Sequence, residues 1–451
     1  MFRAKEMLPR AVAILSLLCF QLCISPAIAV AQGRPASPDD ARTIFQSGMA
    51  SYRAGNLPDA AEKFQRACDL DGAAGCYNLG VMYNDGAGVP RDANRAFGLF
   101  TRACEGDYPS ACNNLAVMYR EGSSIPRNES YAASLYMRAC NLGNVQGCAN
   151  LGVLYDNGAG VSQDRTRATD LYRMTCERGN ALGCNNLGRL YEQGEALNRD
   201  FPRAVSFYSK ACELGMEGGC LNWGTLLERG QGVVQDATRA ASIYSNICDK
   251  GFSPGCNNLG ALFENGKGVA RDPARAVNLY GKACDGGHAR ACSNLGSMYE
   301  RGVGVPRDPI EATRLYRRSC DGGQSDGCYN LGVAYQNGVG VAAKPSHAAS
   351  LYRQACEGGT DLACFNLGLL YEDGMGVARD PNEAVELYSK ACRNGLAIGC
   401  QNVGVMYYNG TGVKRNPRLA SDNFRRALEI NPGLTEARQN LARVARELGD
   451  K

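Results

Sequence analysis

Residues 258–284 read NLGALFENGKGVARDPARAVNLYGKAC, and the same arrangement returns every 36 residues along the chain. Cysteines punctuate it in pairs: Cys68 with Cys76, Cys104 with Cys112, Cys140 with Cys148, Cys176 with Cys184 and Cys212 with Cys220. The series continues with Cys248 and Cys256, Cys284 and Cys292, Cys320 and Cys328, Cys356 and Cys364, Cys392 and Cys400. Each pair is C-x7-C, without insertion or deletion between pairs. A fixed period of this size marks a repeat array whose stacked units bury a continuous core. Aligning the units exposes further columns. Asparagine recurs at Asn78, Asn114, Asn150, Asn186, Asn222, Asn258, Asn294, Asn330, Asn366 and Asn402. Glycine recurs from Gly86 to Gly410, alanine from Ala96 to Ala420, and an aromatic ring from Phe100 and Tyr136 to Phe424.

One unit reads as two helices. Over 74–85, Leu79, Met82 and Tyr83 fall at i, i+3 and i+4, the stripe of an amphipathic helix A. Gly86 then stands where a helix ending needs positive φ. Asp92 and its equivalents Asp164, Asp200, Asp236, Asp272, Asp308 and Asp380 offer an N-cap oxygen to helix B. Pro273, Pro309 and Pro381 follow such caps directly, and Pro417 follows Asn416, at the first helical position, where a missing N–H costs nothing. Helix B runs to the first cysteine of the next pair, with Ala96, Leu99, Phe100 and Ala103 at helical spacing. No strand-like alternation appears, so the fold class is all-α.

Composition agrees with one long array rather than the three domains that 451 residues would otherwise suggest. Glycine is abundant (55 residues), and histidine is limited to His288 and His347. That leaves almost no material for His-based metal sites or Ser/Cys–His catalysis, and no cofactor is expected. With 49 basic against 45 acidic side chains, the chain lacks a nucleic-acid footprint.

The beginning reads as an address. Arg3, Lys5 and Arg10 precede an apolar run over 11–24, then two A-x-A sites at Ala27-Ile28-Ala29 and Ala29-Val30-Ala31. The run is shorter than the about 20 residues of a spanning helix. Cys19 and Cys23 each follow leucine rather than the small residue a lipid-attachment cysteine requires. The expectation is a signal peptide over 1–31, export to the periplasm or beyond, and no membrane span after its removal. Twenty cysteines and a net charge of +2 remain.

Two disulfide patterns suit the helical hairpins: local C-x7-C pairing, or pairing across a hairpin such as Cys76 with Cys104. The ends of the array discriminate, because Asp40 and Leu428 occupy the positions that the second pattern needs. Local pairing uses all twenty thiols; the alternative orphans Cys68 and Cys400. Ten local disulfides are expected, coherent with an oxidising compartment. Zinc and redox chemistry are disfavoured by the ligand count and by a spacing that is not C-x-x-C.

The unit N-L-G-x-x-Y-x-x-G-x-G-V-x-x-D…A…L-Y-x-x-A-C resembles the Sel-one-like repeat, a relative of the tetratricopeptide repeat, and its C-x7-C form resembles the secreted Helicobacter cysteine-rich proteins. The resemblance covers about residues 41–430. It implies a right-handed α/α solenoid of about eleven hairpins. Residues 32–40 would be a short linker, 41–73 a tetratricopeptide-like cap, 74–430 the array and 431–451 a capping helix. It also implies a scaffold for protein or extended peptide, bound in a groove lined by the A helices. In peptide-binding tetratricopeptide repeats an Asn before Leu-Gly touches ligand backbone, and the ten asparagines match that position. An amide carries both donor and acceptor, so it can pair with any peptide unit. The competing reading is that each Asn bonds a neighbouring repeat's backbone.

Tyr77, Asn113, Asn185, Leu221, Tyr329 and Phe365 should flank the ladder. Asp156, Glu192, Glu228, Glu264, Glu300 and Glu372 follow a turn later, either to favour a basic ligand or to pair with Arg199, Arg271, Arg307 and Arg379. Trp223 occupies a leucine column and reads as packing, and both aromatic columns read as core. Relatives labelled penicillin-binding or β-lactamase raise an enzyme reading. That chemistry needs S-x-x-K and K-T-G, and neither occurs; Ser421-Asp422-Asn423 spells S-D-N inside a helix. A structural or host-interacting secreted protein is the third reading.

Overall fold

The computed structural model describes residues 38–122 and 124–449. The expected signal peptide lies outside the described residues. Among them there are 23 α-helices and no strand, paired as hairpins. They divide into two compact units, one ending at Tyr108 and one beginning at Pro109.

The first unit holds helices Pro38–Arg53, Leu57–Asp69, Ala73–Asp85 and Ala93–Glu105. Its core gathers Phe64, Leu79 and Met82, with Phe45 and Met49 packed alongside. The second unit runs from helix Pro109–Glu121 to helix Thr435–Leu448. Each helix in it packs on the next, and A helices of successive repeats, such as Ala289–Arg301 and Ser325–Asn337, also touch. That is the stacking of a solenoid. At its end, Val444 of the last helix is buried with Ala420 and Phe424 and covers the final hairpin.

The hairpin at 253–285 shows why the sequence folds this way. Helix A, Ser253–Asn265, buries Leu259, Leu262 and Phe263, and ends where Gly266 turns left-handed at φ 69°. Helix B, Pro273–Asp285, starts on Asp272, whose carboxylate accepts the Arg275 N–H at 3.0 Å. The same cap forms at Asp92, Asp164, Asp200, Asp236, Asp308 and Asp380. Gly260 of the Leu-Gly pair lies under the fully buried Tyr280 ring, where a Cβ would come within 2.9 Å of Cε1. The second glycine of the loop, Gly268, presses on the preceding repeat's helix B, where a Cβ would stand 2.3 Å from the Ala237 carbonyl carbon. The Leu-Gly glycine is thus fixed by the aromatic column and the loop glycine by the neighbouring repeat.

The cysteines pair locally rather than across a hairpin. Cys68 is bonded to Cys76, Cys140 to Cys148, Cys176 to Cys184, Cys212 to Cys220 and Cys248 to Cys256. Cys284 is bonded to Cys292, Cys320 to Cys328, Cys356 to Cys364 and Cys392 to Cys400. Each of these bridges ties the last turn of a helix B to the first turn of the following helix A. Cys104 and Cys112 are disulfide-bonded as well.

Candidate binding face

The A helices carry the asparagine column, and its amides reach across repeats. Asn150 donates to Asn113 Oδ1 at 2.9 Å, Asn222 to Asn185 at 3.0 Å and Asn294 to Asn257 at 3.0 Å. Asn330 donates to the Ser293 hydroxyl at 3.2 Å. Asn113 and Asn257 pass the chain on to Asn114 and Asn258, each at 3.2 Å. The partners are side chains of the adjacent repeat, not the backbone that the structural reading of this column expected. Asn78 bonds its own helix at Ala74. Asn150 is buried, whereas the other nine, Asn186, Asn366 and Asn402 among them, are half-buried and keep one edge toward solvent.

The flanking positions differ from expectation at Asn113, which is buried where an exposed residue was expected. Tyr77, Asn185, Leu221, Tyr329 and Phe365 are half-buried. The rings of Tyr329 and Phe365 lie 5.9 and 5.5 Å from those of Tyr352 and Tyr388.

The acid column has a partner that sequence reading missed. The buried tyrosine of helix B donates to the acid sixteen residues earlier: Tyr208 to Glu192 at 2.6 Å, Tyr280 to Glu264 at 2.8 Å, Tyr316 to Glu300 at 2.5 Å and Tyr388 to Glu372 at 2.7 Å. Longer versions join Tyr172 to Asp156 and Tyr244 to Glu228. The loop arginines do not pair with these carboxylates. Arg271, Arg307 and Arg379 donate to the main-chain carbonyls of Glu264, Glu300 and Glu372, and Arg199 to that of Gln193. Other cations meet the acids instead, Arg301 at Glu264 and Arg189 at Asp156.

The two columns join at the phenols. Asn258, Asn366 and Asn402 lie close to the hydroxyls of Tyr244, Tyr352 and Tyr388. Burial pushes these hydroxyls above their ordinary range, Tyr352 to about 12, and the amides oppose the shift. At Tyr244 and Tyr388, acid, phenol and amide thus lie together where one repeat meets the next.

The second aromatic column sits at the edge of the core. Tyr155 and Tyr191 are buried, but Tyr83 and Tyr119 are half-buried. Arg167 and Arg275 lie over Tyr155 and Phe263 at 4.8 and 4.3 Å. In the hairpin at 217–249 Leu227 fills that aromatic position, and Arg239 instead covers Trp223, one turn earlier, at 4.8 Å. That stacking accounts for Trp223 in a leucine column.

Ser421 is buried within helix Pro417–Ile430, and Asn423 bonds the carbonyl of Leu419 in the same helix. Its S-D-N is part of a packed helix. No helix among the described residues is long and apolar enough to cross a membrane.

Comparison with known proteins follows the same geometry. The chain is similar to the crystal structure of c5321, a protective antigen of uropathogenic Escherichia coli. The two share 29% identity over 90% of this chain and 88% of that one, with a TM-score of 0.60. A Sel1 repeat protein of Oxalobacter formigenes matches at 22% identity over 75% of this chain and 95% of that chain, TM-score 0.52, a likeness of fold. A shorter match joins it to the Helicobacter pylori protein named "Putative beta-lactamase HcpC", 39% identical over 74 residues. The chain spans only 24% of that relative's length and 16% of its own. The Sel1 repeat pattern itself matches ten times in succession: 73–108, 109–144, 145–180, 181–216, 219–252, 253–288, 289–324, 325–360, 361–396 and 397–431. With most of its length in these units, the chain belongs to the Sel1 repeat family.

Proposed function

We propose that this chain is an exported, non-catalytic scaffold that holds a protein or extended peptide along the face of its A helices. One observation carries the reading. Nine of the ten column asparagines are half-buried, and Asn222, Asn294 and Asn330 are already oriented by bonds to neighbouring side chains, with aromatic rings such as Tyr329 and Phe365 flanking the column. Preorganised amides lose little freedom on meeting a peptide backbone. In this proposal residues 1–31 are a removable leader, 41–73 and 431–451 cap the array, and the disulfide in each repeat suits an oxidising compartment. The peptide-contacting residues are the ten column asparagines.

A peptide display library panned on the oxidised protein tests it. An enriched peptide should lose about tenfold or more in affinity when Asn186, Asn222 and Asn258 are changed together to Ala. Unchanged binding with intact helical signal would sink the groove reading. The likeness to a protective antigen favours a second reading, a host-facing surface protein, which antibody labelling of intact cells and fractionation test directly. The β-lactamase reading predicts nitrocefin turnover by the purified protein, and none is expected.

A further inference from the structure

Seven hairpins between 145 and 396 give the buried phenol of helix B an acceptor sixteen residues earlier, a carboxylate in six and Gln336 in the other. Where this column carries Asn84 or Tyr408, the opposing ring is Phe100 or Phe424, which needs no acceptor. One hairpin breaks the match. In helices Pro109–Glu121 and Glu129–Asn141, Arg120 stands at the acceptor position opposite Tyr136. A guanidinium has five donors and no acceptor. The Tyr136 hydroxyl is fully buried and meets no hydrogen-bond partner among the described residues. Arg120 keeps 35% of its side chain exposed and lies 3.9 Å from the Glu121 carboxylate, too long for a hydrogen bond. The same hairpin carries Ala116 where the others place the glycine under the ring.

A donor without acceptor and a cation without a close partner therefore meet at the one place where six sister hairpins put a carboxylate. We propose that Arg120 and Tyr136 form a receptor site for a carboxylate supplied from outside the chain. One oxygen accepts from the phenol, as Glu264 does for Tyr280, while the guanidinium donates to the carboxylate and balances its charge. An acidic side chain of a bound peptide and a free carboxylic acid share this chemistry. The first source rests on the binding-face reading; the site itself does not.

The test uses the full oxidised chain with carbon-13 in its tyrosine rings. The Tyr136 signal is identified by its loss in Tyr136→Phe. Sodium acetate, titrated against sodium chloride at matched ionic strength, should shift that signal saturably. Arg120→Ala should weaken the apparent affinity by about tenfold. Arg120→Glu, which installs the residue present in five sister hairpins, should remove the response and move the Tyr136 signal toward that of Tyr208. An unresponsive Tyr136, or an equal response in Arg120→Glu, overturns the site. An equal response to inorganic phosphate overturns the choice of carboxylate. If acetate binds here while display peptides show no dependence on the asparagines, the groove reading fails and this site stands.

Discussion

Raising the pH should unfold this array abruptly, and the buried phenols set where. Tyr136, Tyr172, Tyr208, Tyr244, Tyr280, Tyr316, Tyr352 and Tyr388 are all at most 2% exposed. Each is held above its ordinary range, first by burial, and in Tyr208, Tyr316 and Tyr388 next by a hydrogen bond to a carboxylate that opposes a second negative charge. Tyr136 and Tyr352 are pushed up to about 12. In the unfolded chain all eight titrate near about 10. Between those limits the unfolded state releases protons that the folded state keeps. Stability is therefore fully present below about pH 10 and falls as pH rises toward the folded values. Each tyrosine contributes a slope of about 1.4 kcal/mol per pH unit, so eight together approach about 11 kcal/mol per unit. Against a net stability of about 5–15 kcal/mol, helix loss should begin within about one unit above pH 10. Far-ultraviolet circular dichroism, followed with tyrosinate absorbance and return to neutral pH, reads this out. The buried set should ionise together with loss of the helices. Ionisation of every tyrosine near pH 10 with helicity intact well above it would refute the account.

Three further perturbations have separable outcomes. Replacing Cys248 and Cys256 by Ser opens a loop of sequence separation 8 and should cost about 2.5 kcal/mol, with faster hydrogen exchange confined to helices Ala237–Asp249, Ser253–Asn265 and their neighbours. Gly260→Ala drives a methyl to 2.9 Å from Tyr280 Cε1 and should lower stability by about 1–3 kcal/mol in urea unfolding. Gly281→Ala, with nothing within 4 Å, should instead raise it by up to about 1 kcal/mol. Asp272→Ala removes the cap on the Arg275 N–H and should cost about 1 kcal/mol in the same assay.

What could be read from the sequence is what acts over a few residues. Asp272 caps the helix that begins beside it, Gly266 ends the helix before it, and Cys248 lies eight residues from Cys256. Periodicity then multiplies each local reading by the number of repeats. Longer reach defeated the reading. Glu264 had Arg271 seven residues away as the obvious partner, but that guanidinium is drawn to the carbonyl that the helix end leaves unsatisfied. The carboxylate goes to Tyr280, which only the crossing of the two helices brings near. The amide ladder links residues 37 apart, one more than the period, so aligned columns hide it. Arg120 was visible in the sequence, but nothing marked it until its sister positions were seen to hold the phenols.

The disulfides bear on how such a chain reaches its native state. Twenty thiols from Cys68 onward could pair in an enormous number of ways. The bridges in Cys68–Cys76 and in the eight from Cys140–Cys148 to Cys392–Cys400 each join one cysteine to the next along the chain. For a chain threaded out from its N-terminus, each of these thiols meets its correct partner before any later one has appeared. Order of emergence and native connectivity coincide, so oxidation in sequence leaves these bridges nothing to reshuffle.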